Sequence, residues 1–171
     1  MADITTRVGL GYDVHAFATM EAKRRLMIGG IDIPHDRGLA GHSDADVLLH
    51  ALVDALLGAA ALGDIGTHFP STDPLWQDAP STVFLEHTLD MLQQNGWEIS
   101  NIDATVVAER PRLSPHVQTI REHLAEVTGI PLESVSVKAK TTDGLGFAGR
   151  QEGIACFAVA LLVGTGIPKR G

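Results

Sequence analysis

One cysteine, Cys156, stands in 171 residues, so no internal disulfide can staple the chain. Its setting, Gly153-Ile154-Ala155-Cys156-Phe157-Ala158-Val159, reads as core rather than as a nucleophile. Positive charge is scarce as well: 13 Lys and Arg against 21 Asp and Glu leave a net charge of −8. That balance excludes nonspecific binding to nucleic acid or to an acidic membrane surface, because both need a basic face. An anionic small molecule stays compatible where metal ions and a few local cations neutralise it. No apolar run approaches a membrane span, and Met1 to Thr6 lacks a basic stretch followed by an apolar one. A soluble, cytoplasmic protein is expected. A phosphate-binding P-loop is missing too, since no Gly-Lys-Ser/Thr ends a spaced glycine run, and Gly9-Leu10-Gly11 is too short for a dinucleotide fingerprint.

What remains is ordinary globular material, 44% hydrophobic and 20% charged, long enough for one domain with a substantial core. Strand signals lie at about 7–17 and 26–33, the second punctuated by Gly29-Gly30 and Pro34, and the two runs are expected to pair. Ser43 followed by Asp46 resembles a capping box and opens a helix to about Ala61, stopped by Gly63. Further helices are expected at about 81–95 and 115–128, stopped by Gly96 and Gly129, and strands at about 102–108 and 134–140, the latter two and their helix forming a βαβ unit. The apolar run 154–163 reads as a closing strand, with helix the alternative.

The densest chemistry is in Gly11-Tyr12-Asp13-Val14-His15 and Gly41-His42-Ser43-Asp44-Ala45-Asp46-Val47-Leu48-Leu49-His50. On a strand, Asp13 and His15 point to one face. On a helix, Asp46, His50 and Asp54 recur every four residues and line one stripe. Two histidines and a carboxylate match a divalent metal site with an open position, zinc first and iron or manganese as alternatives. Spacing alone leaves the blander reading open, in which these are separately satisfied polar groups.

Three loops carry possible ligand contacts. In Lys138-Ala139-Lys140-Thr141-Thr142-Asp143-Gly144-Leu145-Gly146-Phe147-Ala148-Gly149-Arg150, hydroxyls and cations suit phosphate oxygens and an Asp suits a second hard cation; a polar turn is the alternative. Ala108-Glu109-Arg110-Pro111-Arg112-Leu113-Ser114 could seat a flat base, or be an exposed loop with a cap at Ser114. The 64–73 loop offers carboxylates to ribose hydroxyls or to its own turns. His35, His87, His116 and His123 are expected on turns or exposed helix faces, with His68 bordering that loop.

In order and wording these motifs resemble the 2-C-methyl-D-erythritol 2,4-cyclodiphosphate synthase family from about Val8 to Val163. The most specific pieces are Gly-Tyr-Asp-Val-His at 11–15, Gly-His-Ser-Asp-Ala-Asp-Val at 41–47, the run from Asp54 to Gly66, and Gly-Arg-Gln-Glu-Gly-Ile-Ala at 149–155. The resemblance implies one domain over 1–171 with short flexible termini, an α+β sandwich of a mixed sheet with helices on one face, and assembly as a homotrimer with sites between subunits.

It implies an enzyme of the non-mevalonate isoprenoid pathway. The 2-phosphate of 4-diphosphocytidyl-2-C-methyl-D-erythritol 2-phosphate attacks the β-phosphate of the same molecule, releasing CMP, which is the work of a phosphorus–oxygen lyase. By the same resemblance Asp13, His15 and His50 hold one Zn2+ per subunit. Asp143, standing where Glu is common, holds Mg2+ or Mn2+ at the diphosphate. His42 and Thr141 align the phosphates, and Asp13, Val14, His15 and Ser43 touch substrate beside them. Asp64, Ile65, Gly66, Phe69, Pro70, Ser71, Thr72 and Asp73 border the methylerythritol, Ser71 replacing a usual Asp.

Ala108, Glu109, Arg110, Pro111, Arg112, Leu113 and Ser114 form the cytidine pocket, and Lys140, Thr142, Phe147 and Arg150 complete the substrate contacts. A threefold cavity for an isoprenoid diphosphate is a further implication, with Arg150 at its phosphate and Phe157 where some relatives are acidic. Two rivals stay in view: a zinc phosphohydrolase attacking with metal-bound water, and a silent trimer that senses nucleotides or isoprenoid diphosphates.

Overall fold

The computed structural model describes residues 5–164; the expected terminal tails lie largely outside them, at 1–4 and 165–171. Strand β1 (Thr6–Ala16) alternates strictly: Val8, Leu10, Tyr12 and Val14 point to one face, and Gly9, Gly11, Asp13 and His15 to the other. It pairs antiparallel with the closing strand β6 (Gly153–Gly164), not with residues 26–33. Those residues fold on themselves as β2 (Leu26–Ile28) and β3 (Ile31–Ile33). Gly29 and Gly30, at φ +62° and +77°, supply the two left-handed residues that a tight hairpin turn requires, which is why the run could not continue as one strand.

Helix α1 (Val47–Ala60) follows, and eleven of its residues are buried. Its N-cap is Asp46 rather than Ser43, because Ala45 sits at φ +59° and breaks the helical path. The Asp46 carboxylate is fully buried and accepts four backbone N–H groups, from Leu48 and Leu49 at 3.1 Å and from Gly29 and Gly30 at 2.8 and 2.6 Å. Asp46 is thus a structural clip between the hairpin turn and α1, which removes it from the stripe of candidate ligands. Burial pushes its carboxyl pKa up even against those hydrogen bonds.

After a short helix α2 (Ile65–His68) come α3 (Ser81–Gln94), β4 (Trp97–Val107), α4 (Val117–Thr128), β5 (Val135–Lys140) and the four-residue α5 (Gly146–Gly149). The main sheet runs β1-β6-β4-β5 and is mixed: β4 and β5 are parallel across the α4 crossover, as the expected βαβ unit requires, and the other pairs are antiparallel. The α+β class therefore holds.

Helix α1 packs on β1 and β6, while α4 packs on β5 and α3 bridges the two helices, so the helices form one layer on one face. The opposite face of β1 and β6 stays open, with Val8 and Leu10 each 68% exposed beside Tyr12, Val14, Phe157 and Val159. Cys156 points inward, fully buried, and burial first, then the Asp46 and Asp13 charges, push its thiol pKa up, as fits a core thiol. Among the described residues no helix is long and apolar enough to cross a membrane.

Candidate active site

Gly9 and Gly11 govern the site's geometry. A β-carbon on Gly11 would lie 1.8 Å from the Ala51 carbonyl oxygen, and one on Gly9 would lie 1.9 Å from that of Ala55. Only glycine lets α1 settle this closely on β1. The close approach carries His50, one residue before Ala51, over the inward-pointing Asp13 and His15.

Three ligand atoms then converge. His15 Nε2 is 2.9 Å from Asp13 Oδ2 and 3.0 Å from His50 Nδ1, and His50 Nδ1 is 3.1 Å from Asp13 Oδ2. Side-chain exposures of 25% for Asp13, 18% for His15 and 12% for His50 leave one side of the triangle open. Burial would raise the Asp13 carboxyl, but hydrogen bonds and charge from His15 and His50 hold it well below the usual carboxylate range. Burial opposes charging of His15, yet the hydrogen bond and charge of Asp13 raise its pKa above 6.5.

The donor set fits a divalent ion. A tetrahedral ion bound at about 2.0–2.1 Å has ligand–ligand edges of about 3.3 Å, so this triangle needs to open by only a few tenths of an ångström. His15 Nδ1 donates to the Ala40 carbonyl at 2.9 Å, which leaves Nε2 bare toward the cluster. His50 presents Nδ1 to the cluster while its Nε2 meets Ser81 Oγ at 2.9 Å and Ser43 Oγ at 3.1 Å.

Around this cluster the expected contacts are placed as follows. His42 Nε2 donates to the Asp73 carbonyl at 3.2 Å, which ties it to the 64–73 loop. Ser43 is 4% exposed, so its hydroxyl faces His50 from within instead of opening beside His42. The Asp64 carboxylate caps α2 through Thr67 N at 2.8 Å and Thr67 Oγ1 at 2.7 Å. Ile65 N donates to Asp54 Oδ1 at 2.7 Å, which pins the loop to α1 and gives the third member of the predicted stripe its work. Phe69 is buried against Phe84, whereas Gly66, Ser71 and Thr72 are exposed.

The second group lies at the C-terminal ends of β4 and β5. Ala108, Glu109, Pro111, Arg112, Leu113, Ser114, Lys140 and Thr141 line a hollow of about 210 Å3. Ala108 N donates to the Lys140 carbonyl at 2.9 Å, holding the two loops together. Thr141 Oγ1 donates to Asp143 Oδ1 at 3.2 Å, and Asp143 is exposed at φ +51°. Arg110 and Phe147 are solvent-exposed, and Thr142 Oγ1 donates to the Leu145 carbonyl at 2.6 Å. Arg150 is engaged by Glu152 at 2.8 and 3.1 Å.

Strand β6 lies between β1, which carries Asp13 and His15, and the β4–β5 pair, which carries the second group. Two to three interstrand steps of about 4.8 Å set them roughly 10–14 Å apart across the sheet. The cluster and the hollow therefore lie on opposite sides of the sheet within one chain. Sequence reasoning missed Asp44 and Ser81 behind His50, since neither carries a ligand motif; the repeated Asp in Ser43-Asp44-Ala45-Asp46 was the only available signal.

The family model described as the YgbB family matches residues 6–163. The chain belongs to the YgbB family. A protein of Syntrophomonas wolfei named 2-C-methyl-D-erythritol 2,4-cyclodiphosphate synthase is 57% identical over 156 residues, which are 91% of this chain and 98% of that one. A Pseudomonas putida protein of the same name is 55% identical over 157 residues, 92% of this chain and 98% of the relative. Among solved structures, the bifunctional IspDF of Campylobacter jejuni matches with a TM-score of 0.89 at 39% identity, over 95% of this chain but only 43% of that protein. The Plasmodium falciparum IspF complex with CDP matches at 0.80 and 33% identity, over 93% and 96% of the two chains. These solved relatives share the layered fold described above.

Proposed function

We propose that the chain catalyses the ring closure of 4-diphosphocytidyl-2-C-methyl-D-erythritol 2-phosphate to 2-C-methyl-D-erythritol 2,4-cyclodiphosphate, releasing CMP, as a cytoplasmic phosphorus–oxygen lyase of isoprenoid biosynthesis. The observation that carries this reading is the Asp13–His15–His50 triangle, open on one side, in a chain more than half identical to synthases over nine-tenths of its length. An oxygen of the 2-phosphate attacks the β-phosphorus, the bond from that phosphorus to the CMP phosphate oxygen breaks, and the electron pair leaves with CMP. Positioning and charge neutralisation supply most of the catalysis in such transfers.

Asp13, His15 and His50 would hold a zinc ion, and Asp143 would contribute one carboxylate to a magnesium or manganese ion, which accepts sparse protein ligation beside substrate phosphates. When bound, these ions polarise the diphosphate and neutralise its charge. His42 and the Thr141 hydroxyl orient phosphate oxygens, while the 64–73 loop covers the methylerythritol and limits water. The hollow between Ala108 and Thr141 takes the cytosine, which suits backbone recognition because the apolar and polar identities of Leu113 and Ser114 then matter little.

The cluster and the hollow are two half-sites joined by assembly: a homotrimer sets the β1 edge of one subunit against the β5 edge of the next. The open face of Val8, Leu10, Tyr12, Val14, Phe157 and Val159 supports this, since a monomer would leave it in water. An isoprenoid diphosphate on the threefold axis would meet the Tyr12–Phe157 pair, whose rings lie 4.8 Å apart.

Chromatography of CMP from purified protein given substrate, zinc and magnesium tests the reading. CMP release that disappears in Asp13→Ala is expected. Inorganic phosphate as the product would instead mark a phosphohydrolase, and unchanged substrate on zinc-loaded protein would mark a sensor.

A further inference from the structure

Behind His50, on the side away from Asp13, a chain of buried polar groups runs to a second carboxylate. His50 Nε2 lies 2.9 Å from Ser81 Oγ, and the Ser81 hydroxyl donates to Asp44 Oδ1. Ser81 is fully buried. Asp44 also accepts Ser81 N at 3.1 Å through Oδ2 and Asp46 N at 3.2 Å through Oδ1, so the carboxylate is held from three directions. An ionised carboxylate can only accept. The single Ser81 proton is therefore committed to Asp44, and Ser81 Oγ can meet His50 only as an acceptor. Ser81 Oγ thus offers an acceptor for a proton on His50 Nε2, the tautomer in which Nδ1, 3.1 Å from Asp13 Oδ2 and 3.0 Å from His15 Nε2, is free to bind a metal; without an ion the Asp13 carboxylate competes for a proton on Nδ1.

We infer that Asp44 and Ser81 are positioning residues which aim the His50 ring and accept its Nε2 proton when Nδ1 binds a metal ion. The inference rests on the reading that Asp13, His15 and His50 hold a metal. His15 reaches the same state by a simpler route, through the Ala40 carbonyl. The two imidazoles are thus set from behind by independent acceptors, and second partners of this kind raise ligand basicity as well as aiming it. Ser43 Oγ, 3.1 Å from His50 Nε2, cannot substitute. It accepts Ala45 N at 3.1 Å but meets no carboxylate that commits its own proton, so it permits either tautomer.

A purely structural account also exists, because Asp44 caps the first turn of α3 through Ser81 N. The two accounts separate in the ring itself. Proton NMR of the zinc-loaded wild type is expected to show a His50 Nε2–H protected from solvent exchange by its bond to Ser81 Oγ; an Nε2–H that exchanges as freely as that of an exposed histidine would overturn the inference. Ser81→Ala is expected to lose that protection and, in chelator competition, to weaken zinc binding about tenfold to a hundredfold. Zinc affinity equal to wild type in a folded Ser81→Ala protein would also overturn it. Failure of the wild type to bind zinc at all would defeat the metal reading instead.

Discussion

Gly11 and Ala51 meet so closely that a β-carbon on Gly11 would fall 1.8 Å from the Ala51 carbonyl oxygen. The contact is with helix backbone, which cannot rotate aside, so any larger residue must lift α1 from the sheet. Gly11→Ala is therefore expected to destabilise the fold by about 3 kcal/mol, at the upper end for overpacking, and to pull His50 from Asp13. Thermal unfolding and zinc titration check this, and near-wild-type values for both would show that α1 can slide without disturbing the site.

The pH dependence follows from opposite shifts in one cluster. His15, raised above 6.5, contributes stability that is fully present below 6.5 and is lost as pH rises through its folded-state value. Asp13, lowered from 3.8, contributes stability present above 3.8 and lost only as pH falls through its depressed value. Chelator-treated protein should therefore melt higher at pH 6 than at pH 8.5, and His15→Ala should remove that difference. Zinc affinity should run the other way, rising from pH 6 to 8.5 as the proton on His15 ceases to compete.

Much of this was legible in the chain because the ligand motifs are local. Asp13 and His15 share a strand face by the period of two, and His50 lies on a helix whose other positions are mostly apolar, so both halves of the triangle follow from pattern. The capping carboxylate was not separable from a ligand by spacing: Asp46 and His50 are four apart, and only the Gly29 and Gly30 amides reveal that Asp46 is already used. Strand partners were equally hidden. Residues 26–33 read as one strand until two left-handed glycines turn them back, and the true partner of β1 is 137 to 157 residues away by register.

Asp54 anchors the 64–73 loop, proposed to cover the substrate, through a single bond to Ile65 N. Asp54→Ala leaves that amide without its partner, at a cost of about 1–3 kcal/mol borne by the loop. Steady-state kinetics should show a raised KM, while zinc content stays at the wild-type level because Asp54 does not touch the triangle. Loss of zinc in this variant would contradict the assignment.

The open sheet face gives a separate prediction. Leu10→Glu places a charge at the centre of a surface that is 68% exposed in one chain and covered in the proposed trimer. Light scattering should find monomers that remain folded and bind zinc through their own Asp13, His15 and His50, yet release no CMP because the two half-sites no longer meet.

Phosphorus-31 NMR of the wild-type protein with 4-diphosphocytidyl-2-C-methyl-D-erythritol 2-phosphate, zinc and magnesium is the most direct measurement of the chemistry. The account predicts that the substrate's diphosphate and 2-phosphate signals are replaced by two coupled resonances of a cyclic diphosphate and one of CMP, in equal amounts. Inorganic phosphate appearing in place of the cyclic product would contradict it, because the attacking oxygen would then have come from water and not from the substrate's own 2-phosphate.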